Sequence, residues 1–138
     1  MKNVLVVDEK GRVRLLTDTR EGKAHDKRVT DDAGYTLPEG SILYQDTAFQ
    51  GFALEGVTIM QPKQKPRGRE LTVAEKAENQ RISAIRVRVE HAIGGVKRYR
   101  IVKDIIRLVK EGICDKVMET CCGLHNFRLR YRPWNYAT

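Results

Sequence analysis

Glu90 is the one acidic residue between Arg81 and Arg100, a stretch that also carries Arg86, Arg88, Lys97 and Arg98. A surface helix held by ion pairs would interleave more acids among its bases. A lone carboxylate ringed by cations suits another task. Carboxylate oxygens bind hard divalent ions such as Mg²⁺, and the surrounding lysines and arginines can receive phosphate. One carboxylate cannot hold such a centre alone. Asp46 is a candidate for a further donor, since it stands at the C-terminal end of the short run 41–45, where open α/β sheets place ligands. Paired metal ions on carboxylates activate an attacking hydroxyl and stabilise the leaving oxygen in phosphoryl transfer. On spacing alone each residue also has a plainer reading: Asp46 as a loop residue capping a turn, and Glu90 as the ion-pair partner of Arg86 four residues earlier.

The distribution of charge points the same way. The net charge is +8, yet residues 1–60 carry 8 Lys/Arg against 10 Asp/Glu, residues 61–110 carry 14 against 5, and residues 111–138 carry 4 against 3. A basic block confined to the middle of the chain implies a polyanionic partner more strongly than a uniform excess would. The alternative is a solvated basic face without a partner. The hydrophobic fraction of 41% supports a core, and the mean hydropathy of −0.51 argues against a membrane protein. No apolar run reaches the roughly 18 residues that a spanning helix needs. The N-terminal residues turn acidic too early for a signal peptide. Three cysteines, two of them adjacent (Cys121 and Cys122), suggest a reducing compartment.

The elements that would position these side chains can be read from pattern. Residues 3–7 and 12–16 flank a glycine-containing turn and predict a β-hairpin. Residues 25–33 predict a short polar helix stopped by Gly34, and residues 41–45 a buried-type strand. A further strand is expected over 57–60. A basic, proline-containing loop follows over 61–69. Thr72 and Glu75 form a capping box, which opens a helix to about Val96. Along that helix Ile82, Ile85, Val89, Ile93 and Val96 make one apolar stripe. Glu90 borders the stripe, about 27 Å along the helix from Thr72, far enough to bring it back toward the strand ends. Gly94 and Gly95 imply close approach of another backbone or strand at the helix end. A last helix is expected over 113–129, followed by packed aromatics at Tyr131, Trp134 and Tyr136. The order predicts an α/β fold, a mixed sheet with helices packed on it.

Three segments, YQDTAFQGF (44–52), PKQKPRGRELTVAEKAENQRIS (62–83) and IRVRVEHAIGGVKRYRI (85–101), together resemble the C-terminal part of DDE-superfamily transposases, notably Harbinger-like enzymes and their bacterial insertion-sequence relatives. The resemblance covers most of residues 3–130. It implies an RNase H-like fold and a two-metal centre of Asp, Asp and Glu that cuts and joins DNA. Asp46 then corresponds to the second Asp and Glu90 to the Glu, with Mg²⁺ as the ion and Mn²⁺ as its substitute. His25 and Asp26 resemble a recurring His-Asp pair with a positioning role. The RNase H-like order places the first Asp on the first of three strands ahead of the first helix, whereas only two strands precede His25. Asp8 lies in the hairpin turn, where Asp is favoured for local reasons. The resemblance therefore implies a partial catalytic domain over 1–138 that lacks its first strand, with an incomplete metal site.

The expected partners are DNA, both transposon ends and target, and a companion N-terminal transposase chain. The edge left by a missing strand admits homo-oligomers. Lys63, Lys65, Arg67 and Arg69 are candidate phosphate contacts, against a disordered linker. Arg86, Lys97, Arg98 and Arg100 are candidate groove contacts, against a solvated face, and His91 could orient substrate. Cys121, Cys122 and His125 share one helix and lack a fourth ligand for structural zinc, so the cysteines are expected in or near the core. Two rival functions remain at this level: a DNA-binding module without catalysis, and a decaying remnant. The expected location is the cytoplasm, at the nucleoid, for a prokaryotic chain and the nucleus for a eukaryotic one.

Overall fold

A computed structural model describes residues 2–20, 23, 25–102 and 112–135. The chain divides into two compact units, residues 1–24 with 88–138, and residues 25–87. Of the expected tail aromatics, Tyr136 lies outside the described residues.

In the first unit, β1 (Leu5–Val7) and β2 (Val13–Leu16) form the expected antiparallel hairpin. The turn between them is built by Asp8. Its Oδ1 accepts from the backbone N–H groups of Lys10 at 2.9 Å and Arg12 at 3.0 Å, and Gly11 takes the positive φ of 82° that the turn requires. The final helix, α3 (Ile113–Tyr131), lies on this hairpin. Val13, Val96, Met118, Cys121 and Cys122 form the core, flanked by Leu5, Val7, Leu16 and Tyr99. Asn126 on α3 clasps the free edge of β2: the Val13 N–H donates to its Oδ1 at 2.8 Å, and its Nδ2 donates to the Val13 carbonyl at 2.9 Å. A helical side chain thereby pairs the main-chain groups that a neighbouring strand would, since no third strand joins this sheet among the described residues.

In the second unit, α1 (Asp26–Ala33) ends as expected at Gly34, which adopts the left-handed conformation. β3 (Ile42–Tyr44) and β4 (Thr58–Met60) are parallel, in the register Ile42↔Thr58, Leu43↔Ile59 and Tyr44↔Met60. The expected buried character of β3 is not found, since Ile42 is 60% exposed. Leu43 and Tyr44 are half-buried, as are Ile59 and Met60 on its partner strand. Val29 and Phe52 supply the buried packing here, with Tyr35 tilted against Phe52 at 6.0 Å. The single mixed sheet read from sequence is instead two separate two-stranded sheets among the described residues, one antiparallel and one parallel. The class remains mixed α/β.

Helix α2 (Val73–Lys97) contributes to both units. Half of its capping box forms: the Glu75 N–H donates to Thr72 Oγ1 at 3.1 Å. The Glu75 carboxylate turns instead to Lys63 and Arg69. Of the expected stripe, Ile82 and Val96 are buried and Ile85, Val89 and Ile93 half-buried, with Ala92 beside them at 0% exposure.

Candidate functional site

Parallel pairing brings the carboxyl ends of β3 and β4 to one side. Beyond them the chain delivers Gln45, Asp46 and Thr47 from one strand and Gln61 and Pro62 from the other, and the Gln45 N–H donates to the Met60 carbonyl at 2.9 Å. Asp46 caps the 3-10 turn Thr47–Phe49, its Oδ1 accepting from the Thr47 N–H at 2.6 Å and from Thr47 Oγ1 at 3.1 Å. Arg86 donates to Oδ2 at 2.8 Å. Both oxygens of a half-exposed carboxylate are thus engaged, one by a turn and one by a guanidinium. Beside this cap lies an open depression of about 320 Å³ lined by Thr47, Gln50, Gln61, Pro62, Lys63 and Gln64.

The basic loop that follows is tied to α2 by a side chain sequence reasoning passed over. Asn79 Oδ1 accepts from the Lys63 N–H at 2.8 Å, and Asn79 Nδ2 donates to the Lys63 carbonyl at 2.9 Å. Three of the four candidate phosphate contacts carry internal counter-ions: Lys63 and Arg69 reach Glu75 at 3.2 and 3.3 Å, and Lys65 reaches Glu70. The Lys63 ammonium, with Arg69, holds the Glu75 carboxyl below its usual range. Arg67 has no such partner among the described residues. An Asn about two helical turns beyond the Thr72 cap, opposite a proline-flanked lysine, was the available signal for this docking.

Glu90 and His91 belong to the first unit, as do Lys97, Arg98 and Arg100. Glu90 is exposed rather than bordering the buried stripe. That placement corrects the expectation from periodicity, because the buried face at this level runs through Ala92 and Val96 and points away from position 90. Glu90 has no ion-pair or hydrogen-bond partner among the described residues. The pairing with Arg86 is not formed, since Arg86 is taken by Asp46. Lys97, Arg98 and Arg100 are likewise without counter-ions among the described residues, and they sit at the C-terminal end of α2, where the helix dipole favours cations. His91 is exposed, with the Trp134 ring edge-on at 6.4 Å.

Gly95 explains half of the glycine pair. A Cβ there would lie 2.4 Å from His125 Nδ1 and 2.5 Å from its Cε1, whereas one on Gly94 would meet nothing within 4 Å. The close neighbour is therefore a helix side chain, not the backbone or strand expected. His125 is fully buried, donates from Nε2–H to the Gly11 carbonyl at 2.9 Å, and lies 5.5 Å from the Trp134 ring. Burial lowers its pKa below the ordinary histidine value. Trp134 is packed as expected, but Tyr131 is not, at 69% exposure. Cys121 and Cys122 are in the core, and burial pushes the Cys122 thiol up to about 11.

Asp8 is fully used by its turn. Besides the two backbone donors on Oδ1, its Oδ2 accepts from Arg12 Nε at 3.2 Å and Arg14 Nε at 2.8 Å. Partial burial raises its pKa, but the Arg12 and Lys10 N–H groups and the Arg14 guanidinium outweigh this and leave the carboxyl below its usual range.

Asp46 and Glu90 are exposed carboxylates, the donor type a hard divalent ion takes; both Asp46 oxygens are engaged by Thr47 and Arg86, whereas Glu90 has no partner among the described residues. Among the described residues no group of three His, Cys, Asp or Glu side chains comes together to hold a metal. No helix of the described residues is long and apolar enough to cross a membrane.

A family model described as DDE superfamily endonuclease matches residues 1–126. The chain is also similar to the probable transposase for insertion sequence element IS702 of Microchaete diplosiphon, with 25% identity over 107 residues. That alignment takes in 78% of this chain and 39% of the relative, so the chain spans well under half of the relative's length. No solved structure matches the chain.

Proposed function

The chain belongs to the DDE superfamily endonucleases, and from that premise we propose that residues 1–138 are part of an RNase H-like transposase catalytic domain. The parent reaction is metal-dependent cleavage and transfer of DNA strands at transposon ends. The family match over residues 1–126 carries this reading, and the similarity to an insertion-sequence transposase supports it. Asp46 and Glu90 are the proposed second and third carboxylate ligands. Mg²⁺ held by such carboxylates supplies the Lewis acidity that activates an attacking oxygen and stabilises a leaving one.

The remaining roles fall to the chain's own residues. The Thr47 N–H and the Arg86 guanidinium hold the Asp46 carboxylate in a fixed orientation. Lys97, Arg98 and Arg100, free of counter-ions among the described residues, neutralise phosphates, as does Arg67. With Asp8 committed to its turn, the first carboxylate comes from a companion segment outside residues 1–138, and residues 1–138 alone are inactive. A strand-nicking assay in Mg²⁺ or Mn²⁺ tests the reading. Cleavage is expected only when the companion segment is added, and it should disappear with Asp46→Ala or Glu90→Gln. Robust cleavage by this chain alone, abolished by Asp46→Ala, would sink the two-chain reading.

A second reading, DNA binding without catalysis, rests on the basic block alone, 14 Lys/Arg against 5 Asp/Glu over residues 61–110. It predicts duplex affinity that falls steeply with salt and is unchanged by Asp46→Ala and Glu90→Ala.

A further inference from the structure

We propose that the depression at the carboxyl ends of β3 and β4 is a pocket for a single unpaired nucleobase of a bound strand, read by the carboxamides of Gln61, Gln64 and Gln50. The inference rests on the transposase reading and extends it to base recognition beside Asp46. Ligand crevices in α/β folds form outside the carboxyl ends of parallel strands, and this one is bounded there on both sides, by Thr47 after β3 and by Gln61 after β4. Its volume of about 320 Å³ lies at the lower end of small-molecule sites, roughly 300–1,000 Å³.

The lining chemistry selects a base over a phosphate. Lys63 is the one cation among the lining residues, and its ammonium is directed to Glu75 at 3.2 Å while Asn79 clamps its main chain. The other polar groups are neutral. Carboxamides donate and accept at once, which matches the alternating edge of a nucleobase, and adenine best of all. Pro62 adds an apolar ring to the wall.

One of these carboxamides is oriented in advance. Gln45 is buried at 7% exposure, and its Nε2 donates both to the Phe49 carbonyl at 3.2 Å and to Gln61 Oε1 at 2.9 Å. That bond leaves the amino end of Gln61 as its unused donor. Gln50 and Gln64 are exposed; the Gln50 N–H donates to the Thr47 carbonyl at 3.0 Å, but neither carboxamide is hydrogen-bonded among the described residues, so both remain available to a ligand. Gln45 is thus a positioning residue, and the three lining glutamines are the recognition groups.

The test is fluorescence anisotropy with the full chain and labelled single strands of one length, either all-adenine or abasic. The adenine strand should bind about tenfold more tightly than the abasic one, and Gln64→Leu and Gln50→Leu should each reduce that preference several-fold without changing abasic binding. Gln45→Leu should reduce the preference while Gln45→Glu, which keeps an acceptor but loses the donor to Gln61, fails to restore it. Equal affinity of the wild type for both strands would overturn the pocket while leaving salt-dependent DNA binding intact. A preference that survives both Gln64→Leu and Gln50→Leu would also overturn it. Deoxyadenosine monophosphate that displaces the strand at equal base concentration would overturn the strand-borne assignment. Failure to bind any strand would refute the transposase reading together with this one.

Discussion

Gly94 and Gly95 are neighbours on one helix, yet alanine should act on them with opposite sign. In a helix interior Gly is about 1 kcal/mol less favourable than Ala, so both substitutions start with the same gain. At Gly94 nothing stands within 4 Å of the new methyl, and the gain should be realised in full. At Gly95 the methyl would sit 2.4 Å from His125 Nδ1 and 3.0 Å from an Arg128 guanidinium nitrogen. Arg128 can swing aside, but His125 cannot: it has no exposed surface, is bonded to the Gly11 carbonyl at 2.9 Å, and has Trp134 on another side. Overpacking of this kind costs about 2–3 kcal/mol, which exceeds the propensity gain. Gly95→Ala should therefore lose about 1–2 kcal/mol and Gly94→Ala gain about 1 kcal/mol, a spread of 2–3 kcal/mol. Urea unfolding with a common m-value measures both, and the melting temperatures should part by about 8–12 °C at roughly 4 °C per kcal/mol. If both variants are stabilised equally, His125 is not packed against Gly95 and the account of this core is wrong.

Three further outcomes follow from the same geometry. His125 has a folded pKa below its ordinary 6.5, so the unfolded chain binds the proton more readily; stability should hold above pH 6.5 and fall as pH drops from there through the lower folded pKa, which denaturant midpoints across that range would show. Asp8→Ala removes the acceptor of two backbone N–H groups and two arginines and should cost about 1–2 kcal/mol of stability without altering Mn²⁺ binding, so a loss of ion affinity, measured by paramagnetic relaxation, would return Asp8 to the metal site. Asp46→Asn breaks one partly exposed ion pair with Arg86 and should shift stability by less than about 1 kcal/mol while abolishing cleavage in the presence of the companion chain; a large thermal shift would make Asp46 a structural residue.

Local chemistry made much of this legible in sequence. The hairpin and the Asp8 turn, the short helix stopped by Gly34, the parallel-strand segments and the long helix after Thr72 each depend on neighbours close in the chain, and each formed near its expected bounds. Asp46 was placed correctly at a strand end for the same reason. Partnerships were less legible. Arg86 could meet Glu90 one turn away or Asp46 forty residues away, and spacing could not choose between them. Periodicity put Glu90 beside the buried face, but the packed neighbours of α2 set where that face ends. The counter-ions of Lys63 and Arg69 were hidden because Glu75 was expected to serve its own helix cap.

By itself, then, the amino-acid order determined which segments become strands and helices, where turns fall, the concentration of positive charge, and the family to which the chain belongs, since all of these are encoded in residue type and short-range spacing. Tertiary structure alone decided that the strands pair as two small sheets, that Asn79 and Asn126 clasp distant main chain, that His125 fills the space over Gly95, and that Asp46 rather than Glu90 holds Arg86. Each of these is a contact between residues far apart in sequence, chosen by which buried polar group or cavity needed a partner, and that need exists only once the chain has packed.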